Sequence, residues 1–263
     1  MREPLLNIAV EAARAAGVII TRAMKRLDNI KVAEKNPNDW VTEIDQRVEQ
    51  EIISIVHKAY PSHGFIGEEG GEIEGDDFQW IIDPIDGTRN FIHGFPHFAV
   101  SIAVAHKNRI EHGVIYDPNR QELFTASRGK GAHLNERRIR VSTRKQLSEC
   151  LFGTGFAYRH TDKDNPIPKI ILQAIMPVCD IRRAGAASLD LAYVAAGRLD
   201  GFWEMGLHIW DIAAGILLVK EAGGMICDHL GGEDYLKTGD IVAANPVILR
   251  QFLKTIKTEL TAI

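Results

Sequence analysis

Apolar positions near the start of the chain recur at three- and four-residue steps. Leu5, Ile8, Ala9, Ala12, Ala13, Ala16 and Ile20 form one face of a helix predicted from Leu5 to about Met24. A second helix is predicted from Thr42, whose spacing to Asp45 fits a capping box. It continues through Ile44, Val48, Ile52, Ile55 and Val56 to a stop at Tyr60-Pro61. Asp45 thus falls in a first helical turn. Between the helices, Lys35 to Asp39 reads as a polar, turn-rich loop.

From Trp80 the pattern changes to short β-branched and aromatic runs: Trp80 to Ile82, Ala99 to Ala105, Ile110 to Tyr116 and Glu122 to Ala126. Turn signals at Lys107-Asn108, Asp117-Pro118-Asn119 and Arg128 to Gly131 separate them, so an antiparallel meander is expected. After Arg144, strand and helix patterns alternate. Helices are predicted from Ser188 to Ala196, from Asp211 to Ala222 and onward from Pro246, with strands at Gly201 to Glu204 and Ile241 to Ala244. The change of style between residues 140 and 145 predicts two lobes, 1–142 and 143–263.

The 263 residues suit one large domain or two fused lobes, and 45% hydrophobic with 25% charged residues is the balance of a globular protein. The longest uninterrupted apolar runs, such as Ala213 to Val219, fall short of the roughly 20 residues that cross a bilayer. Near the N-terminus, Glu3, Asn7, Glu11 and Arg14 interrupt any signal-peptide pattern. No membrane association and a cytoplasmic location are therefore expected. Cys150, Cys179 and Cys227 are widely separated and read as reduced core residues. A net charge of −4 argues against a chain whose main task is coating nucleic acid.

Clustered acids carry the candidate chemistry. Magnesium takes oxygen ligands, commonly one or two carboxylates completed by water and substrate phosphate. In Ile81-Ile82-Asp83-Pro84-Ile85-Asp86-Gly87-Thr88 an apolar strand ends in two aspartates three apart, and a tight turn there can aim both carboxylates at one point. Alone, the segment is also simply a good turn, since each of its residues favours turns locally. Gly67-Glu68-Glu69-Gly70-Gly71 is an acidic loop by itself, and Asp211 alone could be a helix cap.

Taken together and in order, these motifs resemble the inositol monophosphatase family, closely its bacterial branch. The resemblance rests on Gly67-Glu68-Glu69, on Asp83-Pro-Ile-Asp86-Gly-Thr88 followed by Asn90-Phe91, and on Trp210-Asp211 with Glu221-Ala-Gly-Gly224 downstream. It implies an α-β-α-β-α layered sandwich, the mixed α/β fold of sugar phosphatases. It further implies that Glu68, Asp83, the backbone carbonyl of Ile85, Asp86 and Asp211 hold two or three Mg2+ ions, and that Asp45 and Thr88, with Glu68, serve the attacking water. Gly87 and Thr88 would offer backbone donors to phosphate. Gly185, Ala186, Ala187 and Glu204, with Asp86 and Asp211, would contact the substrate. The implied reaction is hydrolysis of inositol monophosphate and related phosphate monoesters by direct attack of water, in a lithium-sensitive homodimer. A fructose-1,6-bisphosphatase or a 3′-phosphoadenosine 5′-phosphate phosphatase would keep the same acids.

Two departures bear on specificity. Arg89 stands where many relatives have threonine. Ala186 replaces a common hydroxyl residue while Ser188 follows two places later, so contacts to substrate hydroxyls are expected to differ. Between Arg128 and Lys145, seven basic residues face one acid, Glu136. This stretch reads either as a solvated edge or as a contact for RNA or RNA polymerase, since some bacterial relatives serve in transcription complexes.

Overall fold

Why the chain begins with two packed helices follows from their apolar faces. The computed structural model describes residues 3–36, 39–156 and 165–260. α1 (Pro4–Ala23) runs on into a 3₁₀ turn, Met24–Asn29, and is followed by strands β1 (Val32–Asn36) and β2 (Asp39–Thr42). α2 (Glu43–Ala59) starts at a Thr42 cap with the reciprocal Thr42–Asp45 capping box that the sequence predicts. β1 and β2 pair antiparallel, so the expected polar loop is flanked by strands; Pro37 and Asn38, at its centre, lie outside the described residues.

The middle of the chain supplies β3 (Gly64–Gly67), β4 (Gly71–Ile73), β5 (Phe78–Asp86), the short helix α3 (Thr88–Ile92), β6 (Ala99–His106), β7 (Arg109–Asp117), β8 (Glu122–Ser127), β9 (Gly131–Leu134) and β10 (Arg137–Arg138). Among the described residues these strands form an eight-stranded sheet in the order β10-β9-β8-β7-β6-β5-β3-β4. The run from β5 to β8 is the expected antiparallel meander, while β3 lies parallel to β5.

The remaining elements are β11 (Leu151–Thr154), α4 (Ile167–Ile175), β12 (Asp180–Arg182), α5 (Ala187–Ala195), β13 (Gly201–Glu204), α6 (Ile209–Glu221), β14 (Met225–Cys227), α7 (Tyr235–Thr238), β15 (Ile241–Ala244) and α8 (Pro246–Leu260). Among the described residues they build a five-stranded sheet, β12-β11-β13-β15-β14. α4, α7 and the strands β11, β12 and β14 are not predicted from the sequence.

Strand alternation divides the core into layers. Trp80 and Ile82 face α1 and α2, whereas Ile81 between them faces α5 and α6. In β13, Phe202 packs on α5 and α6 while Trp203 faces α4 and α8. The order of layers is therefore α-β-α-β-α, the fold class the family resemblance implies. α6 is apolar on nearly every side because sheets cover it from both directions. Its backbone rests so closely on β7 that a side chain at Gly113 would meet the Ala214 carbonyl at 2.8 Å.

Cys150, Cys179 and Cys227 are buried free thiols, as expected, and burial pushes the Cys150 thiol up to about 12. The segment Pro4–Asp28 is long and apolar enough by length and composition to cross a membrane, although polar residues interrupt its apolar run. Its apolar face, from Leu6 to Ile20, is packed against α2 and the eight-stranded sheet.

Gly113→Ala is expected to lower stability by about 1–3 kcal/mol through overpacking of α6 on β7. Thermal unfolding should show a drop of about 2–4 °C per kcal/mol; an unchanged melting temperature would contradict the close approach.

Candidate metal and active site

A β-bulge, not a turn, brings Asp83 and Asp86 together. Side chains three apart on a regular strand point to opposite faces. Here Asp83 pairs with Ser101 and Asp86 with Ala99, so three steps on β5 oppose two on β6. The extra residue in Pro84-Ile85 restores both aspartates to one side. The strand thus continues past the predicted stop at Ile82 to Asp86.

Neighbouring elements deliver the other acids. β3 runs beside β5 with Gly67 opposite Ile82, and the Glu68 amide donates to the Ile82 carbonyl at 3.2 Å, which sets Glu68 next to Asp83. Ser101, the register partner of Asp83, donates to the Trp210 carbonyl at 3.2 Å and ties the start of α6 to that spot. Asp211 is both a helix-start residue and a member of the cluster: its Oδ2 accepts from the His208 amide at 2.7 Å. Ligand oxygens of Asp83, Asp86 and Asp211 all lie within 4.8 Å of one another.

A cleft gathers nearly all the sequence-predicted residues. Glu68, Asp83, Ile85, Asp86, Gly87 and Thr88 line it from the N-terminal half; Gly185, Ala186, Ala187, Glu204 and Asp211 line it from the C-terminal half. Gly87 adopts φ +95°, and a side chain there would crowd the carbonyls of His97 and Gly185. Arg89 also lines the cleft, with Asn90, Phe156 and Arg183, which the sequence reading did not assign to the site. Asn90 donates to the carbonyls of His97 and Ala184 at 2.7 and 2.9 Å, joining α3 to the segment that leads into α5.

Asp45 is buried behind this wall. Its Oδ1 accepts from the Thr88 hydroxyl at 3.1 Å, and its Oδ2 accepts from the Thr42 amide at 2.8 Å and from the Thr42 hydroxyl. The Thr88 hydroxyl also lies 3.0 Å from the Ile85 carbonyl.

Two supporting residues hold site acids in ways that the sequence does not predict. Glu49, one turn after Asp45 on the buried face of α2, accepts from the amides of Glu69 and Gly70 at 2.9 and 2.6 Å and so clamps the loop that carries Glu68. An acid on the apolar face of a helix was the available signal. Ser188 was expected to alter contacts with substrate hydroxyls. Instead it is fully buried and holds Asp86 through its amide, at 2.6 Å, and its hydroxyl. α5 begins one residue earlier than expected, and Ser188 is a buried residue of its first turn.

The electrostatics calls for a cation. Both oxygens of Asp83 are buried without a protein hydrogen-bond donor, and the polar group beside them is another carboxylate, Glu68. Burial first, then repulsion from Glu68, Asp86 and Asp211, raises Asp83 well above the usual carboxylate range. Burial and then Asp211 push Asp86 up to about 7, and burial pushes Asp45 up to about 6. The converging groups are hard oxygens without thiolate or imidazole, which is the donor set of magnesium rather than of a softer metal.

Comparison with known proteins identifies the family. Residues 1–261 match the family described as the inositol monophosphatase family. The chain is 55% identical over 264 residues to the Nus factor SuhB of Pseudomonas aeruginosa, covering 98% of this chain and 97% of that one. The crystal structure of extragenic suppressor protein suhB from Bartonella henselae superposes with a TM-score of 0.93 at 45% identity, covering 97% of this chain and 99% of that one. Inositol monophosphatase from Anabaena (Nostoc) sp. PCC 7120 gives a TM-score of 0.86 at 36% identity, with 98% of each chain covered.

These shifts fix the sign of a pH effect. A carboxylic acid whose folded pKa is raised keeps its proton where the unfolded chain releases it, so folding loses stability as pH rises between the two values. For Asp86 that window runs from 3.8 to about 7. The metal-free protein should therefore melt several degrees higher near pH 5 than near pH 7.5, and added magnesium should raise the pH 7.5 value most. Scanning calorimetry in chelator and in magnesium checks this; identical curves would contradict it.

Proposed function

Because the chain belongs to the inositol monophosphatase family, we propose that it hydrolyses inositol monophosphate and related sugar or polyol phosphate monoesters in a magnesium-dependent reaction. The observation that carries this reading is the convergence of Asp83, Asp86 and Asp211 beside the buried Asp45–Thr88 pair. Glu68, Asp83, the Ile85 carbonyl, Asp86 and Asp211 would hold the magnesium ions. When bound, such ions neutralise phosphate charge and lower the pKa of nearby water.

The chain's own residues then align the reaction. Thr88 has one hydroxyl proton and two acceptors within reach, Asp45 and the Ile85 carbonyl. With the carbonyl engaged, the proton goes to Asp45. The Thr88 oxygen can then only accept a hydrogen bond from water, which leaves the water's lone pair directed at phosphorus. Asp45, raised to about 6 by burial, is suited to take up the released proton near neutral pH. Backbone amides at Gly87 and Thr88 would hold the phosphate. Glu204, buried on β13, and the Gly185 to Ala187 backbone would meet the polyol hydroxyls. No phosphoenzyme is formed. The fructose-1,6-bisphosphatase and 3′-phosphoadenosine 5′-phosphate phosphatase readings would use the same acids.

Phosphate release from a panel of inositol, sugar and nucleotide phosphates, with magnesium or chelator, tests the proposal. Inositol monophosphate should be turned over only with magnesium, and Asp83→Asn or Asp211→Asn should cost about 10²–10³-fold in kcat. Parent-like rates in these variants, or a phosphorylated side chain trapped by rapid quench, would overturn it.

A second role, contact with RNA or RNA polymerase, is supported by the basic stretch and by the name Nus factor carried by a relative. Arg128 bonds the Ile110 carbonyl at 2.9 Å beside Glu111, and Arg144 pairs with Asp200 at 3.2 Å. Lys130, Arg137, Arg138 and Arg140 are exposed in or near β10, the edge strand of the sheet, and Lys145 is exposed where its carbonyl accepts from Gln251 of α8. Charges on an edge strand also block unwanted strand pairing. Reversing Arg137 and Arg138 separates the two: at low salt, loss of RNA or polymerase binding supports contact, whereas no binding by the parent ends this reading.

A further inference from the structure

A second cleft, sharing no lining residue with the carboxylate site, opens on the outer helical layer between the end of α1, the 3₁₀ turn and the start of α2. Its floor is aliphatic: Ile44 is buried and Ile19, Ala23 and Ile30 are half-buried against the core beneath α1 and α2. Its rim carries Arg22, Lys25, Arg26 and Arg47, all exposed, against the single acid Glu43. Among the described residues none of these four cations forms an ion pair. The helix dipole gives a reason for Arg22 in the last turn of α1. It gives none for Arg47, which sits towards the positive end of α2.

From this arrangement we propose that the cleft docks an acidic, amphipathic segment of a partner protein, with aliphatic side chains on the floor and carboxylates among the four cations. The chemistry of the walls selects this occupant. Base stacking on aromatic rings is the usual hold on single-stranded nucleic acid, and the lining of this cleft has no aromatic residue. An anionic membrane presents a broad surface to exposed apolar groups, whereas the apolar groups here lie recessed below the charged rim. An aliphatic floor framed by unpaired cations complements a helix or strand that alternates leucine-like and acidic residues.

Fluorescence anisotropy with a labelled synthetic peptide, leucine and glutamate at helical spacing, tests the assignment on the full chain. The parent should bind it, more weakly as salt is raised. Arg22→Glu/Arg26→Glu/Arg47→Glu should weaken binding at least about tenfold. Phosphate release by the same variant reports that the fold and the carboxylate site are intact. The neutral variant Arg22→Gln/Arg26→Gln/Arg47→Gln, expected to show a smaller loss in the same direction, serves where charge reversal prevents folding. The proposal is overturned if the parent does not bind the peptide, or if the variants bind it as the parent does. It is equally overturned if single-stranded RNA, phosphatidylglycerol vesicles or a second copy of the chain, and not the peptide, occupies the cleft through these arginines.

Discussion

Like charge drawn into a partly dry cleft is the constraint around which this fold is organised. Asp83, Asp86 and Asp211 bring their oxygens within 4.8 Å of one another, with Glu68 beside Asp83. Desolvation and mutual repulsion both oppose that arrangement. The surroundings must therefore hold each acid against its neighbours, or cations must join them. The orphaned oxygens of Asp83 indicate which acid leaves most to a cation.

The other acids are restrained by the protein itself. Ser188 bonds Asp86, the His208 amide bonds Asp211, and Glu49 grips the amides beyond Glu68. Thr42 and Thr88 divide the two oxygens of Asp45 between them. These restraints come from α2, α3, α5 and α6, elements of different layers, so the geometry of the cleft and the packing of the layers are one problem. Ser101, which anchors the start of α6 opposite Asp83, is the plainest case. Gly113 belongs to the same packing: a side chain there would meet the backbone of Ala214, three residues after Asp211 on α6.

The surface divides the charge differently. The cleft collects carboxylates, while cations gather on the short β10 edge and around the recess between α1 and α2. A chain with a net charge of −4 can therefore attract anions locally at two places without any general affinity for them.

By itself the amino-acid order determined the elements whose side-chain period is long enough to read: α1, α2, the β5 to β8 meander, α6 and α8. It also determined the acids, because three ordered motifs carry them. Strands of two or three residues, such as β10, β12 and β14, were not legible, since so short a run shows no period and is held by its neighbours in the sheet. The tertiary structure alone decided that Asp83 and Asp86 meet through a bulge, because the register with β6 sets the extra residue. It alone turned Ser188 towards Asp86 and Glu49 towards the Glu68 loop, contacts separated by 102 and about 20 positions in the chain. Local pattern reports which face of an element is apolar; only packing specifies which distant group that face will meet.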